Sequence, residues 1–152
     1  MAYIPPTAQW YVAELVEQIT VEGDPRSVVH KNLVLIRADS PEDAYQKALS
    51  LGREGEDAYD NPAGKKVRIV FRGLSELSVV YDKLDHGAEL LYDERIGAPD
   101  EEIKRWLCPK EQLSVFRSTQ ADTSPDYSSG EILEEARHLS KHSTDSQARR
   151  RR

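Results

Sequence analysis

The sequence predicts a two-layer α+β domain, in which one main helix packs on a face of a roughly five-stranded antiparallel sheet. Three observations favour this class. Several segments alternate apolar and polar residues and are joined by short turns rich in glycine and proline, as consecutive antiparallel strands are. One segment has helical spacing behind a strong start signal, and nearly all large apolar residues lie before position 118. The predicted order is β-β-α-β-β-β-α.

Five segments carry the predicted strands. The first two form a hairpin, because the residues between them include Gly23 and Pro25, which favour a turn. Residues 72–73 and 85–87 are predicted to be the turns that separate the last three strands, and the acidic stretch 53–64 is predicted to be a surface loop. The predicted strands are Trp10–Val21, Val28–Arg37, 66–71, 74–84 and 88–96.

The main helix has the clearest local signal. Ser40 supplies a hydroxyl N-cap, and Pro41 stands where a helix needs no amide donor. Glu42 and Asp43 then lie at the positive end of the helix dipole. Gly52 is predicted to follow the last turn of this helix.

A second, short helix is predicted near residue 99, where a proline precedes three acidic residues. Its apolar side chains belong to Ile103, Trp106 and Leu107. We expect these side chains to dock on the core.

The predicted domain spans residues 8–117, and residues 118–152 are predicted to be a disordered polar tail with an arginine-rich end. The tail contains only Ile132, Leu133 and Leu139 as large aliphatic residues. Ordering the backbone of one residue costs roughly 1–2 kcal/mol, which so few apolar side chains cannot offset. One domain with one hydrophobic core is therefore expected.

The distribution of charge limits the classes of partner. The formal net charge of −6 falls on the region before residue 118, because the tail holds as many basic as acidic residues. An acidic domain is poorly suited to nucleic acid, whose phosphates are neutralised by Lys and Arg in complexes. Contact with nucleic acid is therefore expected only through Arg149, Arg150, Arg151 and Arg152.

The cysteine count and the hydropathy pattern indicate a compartment. Cys108 is the only cysteine, which excludes an intramolecular disulfide and a cysteine-based metal cluster within the chain. The first twenty residues lack the pattern of a secretory signal, and no segment has enough consecutive apolar residues to span a membrane. A cytoplasmic protein without membrane contact is expected.

Tyr81, Asp82, Asp85 and His86 are the candidate site residues. Together with Glu89, they place a phenol, three carboxylates and an imidazole on one predicted hairpin. A base oriented by a carboxylate is how general acid–base sites are built when the groups converge. Residues 85–87 also have ordinary turn chemistry, and that interpretation is the stronger one. The four residues are therefore predicted as binding residues, and no catalytic residue is assigned.

No cofactor or metal site is predicted. Glu134, His138 and His142 recur at steps of four, which would align metal-ligand residue types on one side of a helix. Nothing else in the tail closes a coordination sphere, so this spacing alone does not define a site. The sequence also lacks the phosphate-binding loop, the nucleophile elbow and other common enzyme motifs.

Four groups of residues carry a family resemblance. They are WYVA at residues 10–13, ADSPEDAY at 38–45, FRGL at 71–74 and YDKLDHGAEL at 81–90. These groups resemble a bacterial family of domains of unknown function, DUF4288, over about residues 10–116. The resemblance implies a bacterial or phage-related origin. The family offers no established activity, so the resemblance implies no ligand or site residue.

The function predicted from these features is a non-enzymatic protein-interaction module, acting as an immunity-like or regulatory accessory factor. The absence of enzyme motifs, the acidic domain and a sheet with two edges favour it. Self-association into a homo-oligomer through a sheet edge is a further expectation. Two alternatives stay open: a small enzyme that uses the cluster at residues 81–86, and weak nucleic-acid contact through residues 149–152.

Overall fold

The computed structural model describes residues 3–118 and 123–130 of the 152-residue chain. The strands are β1 (Trp10–Val21), β2 (Val28–Arg37), β3 (Asp57–Asp60) and β4 (Lys66–Val79), and the helices are α1 (Pro41–Glu54) and α2 (Asp100–Trp106). A 3₁₀ turn follows at Lys110–Gln112. The strands form one antiparallel sheet in the order β2-β1-β4-β3. The predicted mixed class and antiparallel sheet are confirmed, but the described residues hold four strands instead of five.

The predicted third and fourth strands are one continuous strand. β4 runs through residues 72–73, where the sequence predicts a turn. Opposite β1, Arg72 and Ser75 are extra residues of β4, so the ladder shifts register twice. Gly73 adopts a φ of 135°, which glycine tolerates far better than other residues. Two β-bulges thus absorb the interruption without ending the strand, because pairing with β1 continues on both sides of it.

The predicted fifth strand, residues 88–96, is neither strand nor helix. Its alternating apolar residues have no core face to contact, since Leu90, Tyr92 and Ile96 are all exposed. A period-two pattern specifies a strand only where one face becomes buried. The remaining strand of the sheet, β3, comes instead from the predicted surface loop, where Tyr59 packs beside Val67.

Helix α1 begins as predicted. The Ser40 Oγ accepts a hydrogen bond from the Asp43 backbone N–H at 3.1 Å, and Pro41 lies in the first turn. The helix does not end at Gly52, as the sequence predicts, but continues to a cap at Gly55. The prediction of the start was reliable because every group in the cap is local in sequence.

Gly52 lies inside α1 because the helix approaches the sheet closely there. A Cβ atom at this position would lie 2.4 Å from Cε2 of the Phe71 ring. Ala44 and Ala48, two turns and one turn earlier on the same side of the helix, are completely buried. Small residues along this stripe let the helix axis sit close to the strands.

The second predicted helix forms but does not dock. α2 begins directly after Pro99, and none of its residues is buried. Ile103, Trp106 and Leu107 are 42%, 52% and 71% exposed, and α2 packs against none of the other helices and strands that the structure describes. The expected docking of these side chains is wrong, because helical spacing identifies an apolar stripe without identifying a surface to cover it.

Most of the core lies on one face of the sheet, in two clusters. Odd-numbered residues of β1 share this face, since successive side chains of a strand point to opposite sides. The first cluster, under α1, contains Tyr11, Ala13, Leu15, Ile36, Ala38, Ala44 and Ala48. The second cluster, at the other end of β1, contains Ile19, Val21 and Val67. No residue of α1 belongs to the second cluster, which another part of the chain covers.

That cover is residues 123–130, which we call the strap. Pro125 is buried, and Tyr127 packs against the second cluster. The Tyr127 ring also meets the His30 ring edge-on, with centroids 5.5 Å apart. These residues belong to the part of the sequence predicted as a polar tail, but in the structure they contact the sheet.

Three side chains hold the strap by its main-chain carbonyl groups. The donor and acceptor pairs are Tyr59 Oη with Tyr127, Asn61 Nδ2 with Asp126 and Arg26 Nη2 with Thr123. Burial raises the pKa of the Tyr59 phenol, so the hydroxyl remains a donor at neutral pH. These three hydrogen bonds do not depend on which side chains the strap carries, whereas its packing depends on Pro125 and Tyr127.

Arg26 is positioned for this contact by Asp24. Its Nε and Nη2 atoms donate to the two carboxylate oxygens at 3.1 and 2.8 Å. These hydrogen bonds lower the pKa of the Asp24 carboxyl to about 2. The pair therefore keeps its charges at every pH near neutrality.

Candidate functional site

The outer edge of β4 is unpaired along its second half. β3 pairs only with residues 66–69 of β4. On the side away from β1, residues 70–79 have no neighbouring strand in the part of the chain that the structure describes. An exposed edge of this kind offers backbone groups to another strand.

The direction of the backbone groups along this edge follows from one hydrogen bond. The Val80 N–H donates to the Trp10 carbonyl at 2.9 Å, which makes these two residues a hydrogen-bonded pair. Bonded and non-bonded pairs alternate along an antiparallel ladder. Leu77 and Val79, which face β1 in non-bonded pairs, therefore direct their N–H and C=O groups outward.

One of these outward groups is capped by its neighbour. The Leu77 N–H donates to Oε1 of Glu76 at 2.8 Å. The Val79 N–H has no hydrogen-bond partner among the described residues. The edge thus presents one occupied and one open donor to an incoming chain.

A groove of about 480 Å³ lies along this edge, and we call it the edge groove. Residues 76–79 all line it. Because their side chains alternate between the two faces of the sheet, the groove includes the strand edge itself. The groove is also lined by residues 89–92 and Glu94, which follow β4 in the chain, and by Ile4, Tyr11, Pro41, Tyr81 and Asp82.

The edge groove is acidic and aromatic. Its carboxylates belong to Glu76, Asp82, Glu89 and Glu94. No Lys, Arg or His occurs among its described lining residues. Tyr81 and Tyr92 are 57% and 67% exposed, so their rings are accessible from solvent. Carboxylates attract cations, and the faces of tyrosine rings bind them, so the groove suits a positively charged ligand.

Two of the four predicted site residues, Tyr81 and Asp82, line the edge groove. The Tyr81 Oη donates to the Tyr3 carbonyl at 2.9 Å. Oδ2 of Asp82 accepts a hydrogen bond from the Glu89 backbone N–H, also at 2.9 Å. Asp82 therefore links the segment that carries Glu89 to the chain that leaves β4.

The other two predicted residues, Asp85 and His86, lie outside the groove on an exposed turn. Oδ1 of Asp85 accepts from the His86 backbone N–H at 2.7 Å, and Gly87 completes the turn with a φ of 83°. The structure does not bring the His86 imidazole to the carboxylates of the groove. The turn chemistry noted in the sequence accounts for this arrangement.

Sequence reasoning did not find the strand-edge residues Glu76, Leu77 and Val79. Their role depends on which way the backbone groups of β4 point, and that is set by pairing with β1. One local signal against the predicted fifth strand was present in the sequence. Glu89, Asp93 and Glu94 concentrate acidic residues there, and acidic residues are depleted in strands.

The sequence also raised the questions of a metal site, a membrane span and a reactive cysteine. Within residues 3–118 and 123–130, no group of three or more His, Cys, Asp or Glu side chains is arranged to hold a metal ion. No described helix has the length and apolar character needed to cross a membrane. Glu134, His138, His142 and residues 149–152 lie outside the described residues. Cys108 is exposed.

These features define a small mixed α/β protein built on one antiparallel sheet, with an acidic groove at a free strand edge. The family model described as "Domain of unknown function (DUF4288)" matches residues 10–92, more than half of the chain. The chain belongs to this family, which confirms the resemblance found in the sequence. The match includes all four strands and α1. Searches of curated proteins and of solved structures found no match.

Proposed function

We propose that this protein is a non-enzymatic interaction module that binds an extended basic segment of a partner protein in the edge groove. The observation that carries the proposal is that an unpaired strand edge and four carboxylates share one groove. The strand edge supplies main-chain hydrogen bonds, and the carboxylates favour positively charged side chains. Binding by strand addition therefore gains both affinity and selectivity at this place.

The backbone of the partner forms hydrogen bonds with Leu77 and Val79. The open Val79 N–H can donate to the partner at once, whereas the Leu77 N–H must first break its hydrogen bond with Glu76. Release frees the Glu76 carboxylate to contact a basic side chain of the partner. Glu76 thus protects the edge of the unbound protein and contributes charge to the complex.

Side chains of the added strand alternate between the two faces of the sheet. Those on the α1 side meet Tyr11 and Pro41, and those on the other side meet Glu76. Tyr81 and Tyr92 offer ring faces to Lys or Arg, each worth about 0.5–1 kcal/mol at an exposed site. An extended segment in which basic and apolar residues alternate fits these surroundings.

A role as an immunity-like or regulatory accessory factor is consistent with this mode of binding, because such a factor acts by occupying a segment of its target. The small-enzyme alternative has less support, since Asp85 and His86 lie outside the groove that Tyr81 and Asp82 line. The exposed apolar residues of α2 offer a second surface to a large partner.

Titration of the full-length protein with a labelled short peptide of alternating Arg and Val residues tests the proposal. We expect the peptide to bind, and its affinity to fall as salt screens the carboxylates. In a chain whose residues 149–152 are replaced by Ser, so that its own arginines cannot compete, Glu76→Gln and Glu89→Gln should each weaken binding by about two- to fivefold, as expected for partly exposed ion pairs.

Two controls accompany this titration. Glu101→Gln, on the exposed surface of α2, removes the same charge away from the groove and should leave the affinity unchanged. A peptide with Gln in place of Arg should bind more weakly. Equal binding of both peptides, or the absence of binding, would rule out the proposed function.

A further inference from the structure

We propose that the edge groove is occupied, in the absence of a partner, by residues 149–152 at the C-terminal end of the same chain. The segment consists of Arg149, Arg150, Arg151 and Arg152. This inference rests on the proposed function, because it names an internal competitor for the same basic ligand. Binding of a partner then requires displacement of these arginines.

Charge complementarity is the first argument. The groove carries four carboxylates and no basic described residue, and the segment carries four consecutive guanidinium groups. A guanidinium binds a carboxylate through two parallel hydrogen bonds and also stacks on aromatic rings. Tyr81 and Tyr92 present such rings beside the acids. The residue type at the end of the chain thus matches both kinds of group in the groove.

The length of chain beyond the strap is the second argument. The strap packs near Val21, whereas the edge groove lies near Tyr11, at the opposite end of β1. Ten residues of strand separate these positions, a span of about 33 Å. About 18 residues connect Gly130 to Arg149. A chain of that length reaches at most about 60 Å, so it is long enough to cover the distance.

The connection makes the arginines an effective competitor. A ligand tethered by a linker long enough to reach its site has an effective concentration of about 1 mM, so with an intrinsic Kd of about 0.1 mM it weakens the binding of an external peptide about tenfold. Weakly basic segments are thereby excluded, while a partner with a larger matching surface displaces the arginines. The same chain thus contains both the binding site and the segment that regulates it.

The experiment compares the full-length protein with a full-length variant in which all four arginines are replaced by Ser. The probe is the labelled Arg and Val peptide. We expect the variant to bind this peptide about tenfold more tightly. A control variant with Lys104→Ser and Arg105→Ser, on the exposed helix α2, removes basic charge elsewhere and should leave the affinity unchanged.

Backbone amide NMR spectra of the same two proteins without peptide give an independent readout. We expect the amide signals of Leu77 and Val79 to differ between them, and those of Val29 and Leu33 on the outer strand β2 to coincide. Equal peptide affinities with coincident spectra would overturn the inference and leave the proposed function standing. Differences that vanish on dilution would also overturn it, since the arginines would then occupy a second copy. Failure of the peptide to bind either protein would overturn both.

Discussion

Single small residues decide how closely the two layers of this protein approach each other. Gly52 faces the Phe71 ring at a distance that leaves no room for a methyl group. The same helix places Ala44 and Ala48 against the sheet, and both are completely buried. The stripe of small residues is therefore a packing requirement, although glycine inside a helix is intrinsically unfavourable.

Replacement of Gly52 by alanine tests this requirement. Alanine gains roughly 1 kcal/mol of helix propensity over glycine, but overpacking a close contact typically costs about 1–3 kcal/mol. We expect Gly52→Ala to lower the free energy of unfolding by about 1–2 kcal/mol, measured by urea denaturation. Ser50→Ala, on the exposed side of α1, serves as the control and should be neutral. A Gly52→Ala protein as stable as the parent would contradict the close approach.

Sequence reasoning at this scale succeeded where the deciding contacts are local. The Ser40 cap needs only the next three residues, and it was predicted correctly. Gly52 was misassigned as a helix end because its role depends on Phe71, a residue of another element. For the same reason, Tyr81 and Asp82 were selected by residue type, while their separation from His86 required the path of the chain.

At the scale of elements, the pairing partner determines what a local pattern becomes. β4 continues through an Arg-Gly pair because β1 lies beside it along its whole length. Residues 88–96 have a better alternating pattern than β3. However, β3 forms the strand because Tyr59 packs against the second cluster. Alternation could be recognised from the sequence, but the face that becomes buried could not.

Hydrogen exchange at β4 checks the direction of its backbone groups. In the protein with residues 149–152 replaced by Ser, we expect the Val79 amide to exchange much faster than the Ser78 amide, which points toward β1. Addition of the Arg and Val peptide should slow exchange at Val79 and leave Ser78 little changed. If Val79 were as protected as Ser78 without peptide, the unpaired edge would be refuted.

At the scale of the whole molecule, two separate covers complete one core. α1 covers the first cluster, and the strap covers the second from a position more than forty residues after the last strand. Composition identified residues 118–152 as poor in large aliphatic side chains. It did not reveal that Pro125 and Tyr127 lie against the sheet, because two isolated packing residues make no periodic pattern and the hydrogen bonds that hold the strap go to its backbone carbonyls.

Truncation of Tyr127 measures how much the strap contributes to the free energy of unfolding. Tyr127→Ala should lower the free energy of unfolding by about 1–3 kcal/mol, less than for a fully buried aromatic ring. Thr123→Ala provides the control, because Thr123 accepts from Arg26 through its carbonyl and its exposed side chain is dispensable. Thermal denaturation of both variants tests whether the strap stabilises the core. Equal melting temperatures for the two variants would show that it does not.

The central place of β1 in the sheet has a consequence for how the protein is made. β1 pairs with β2, which follows it at once, and with β4, which is synthesised only after α1 and β3. Until residues 66–79 leave the ribosome, one side of β1 therefore remains without its partner. Fragments that stop within α1 or β3 keep an open apolar edge of the kind that aggregates. The strand that is best shielded in the finished molecule is the most vulnerable one during translation.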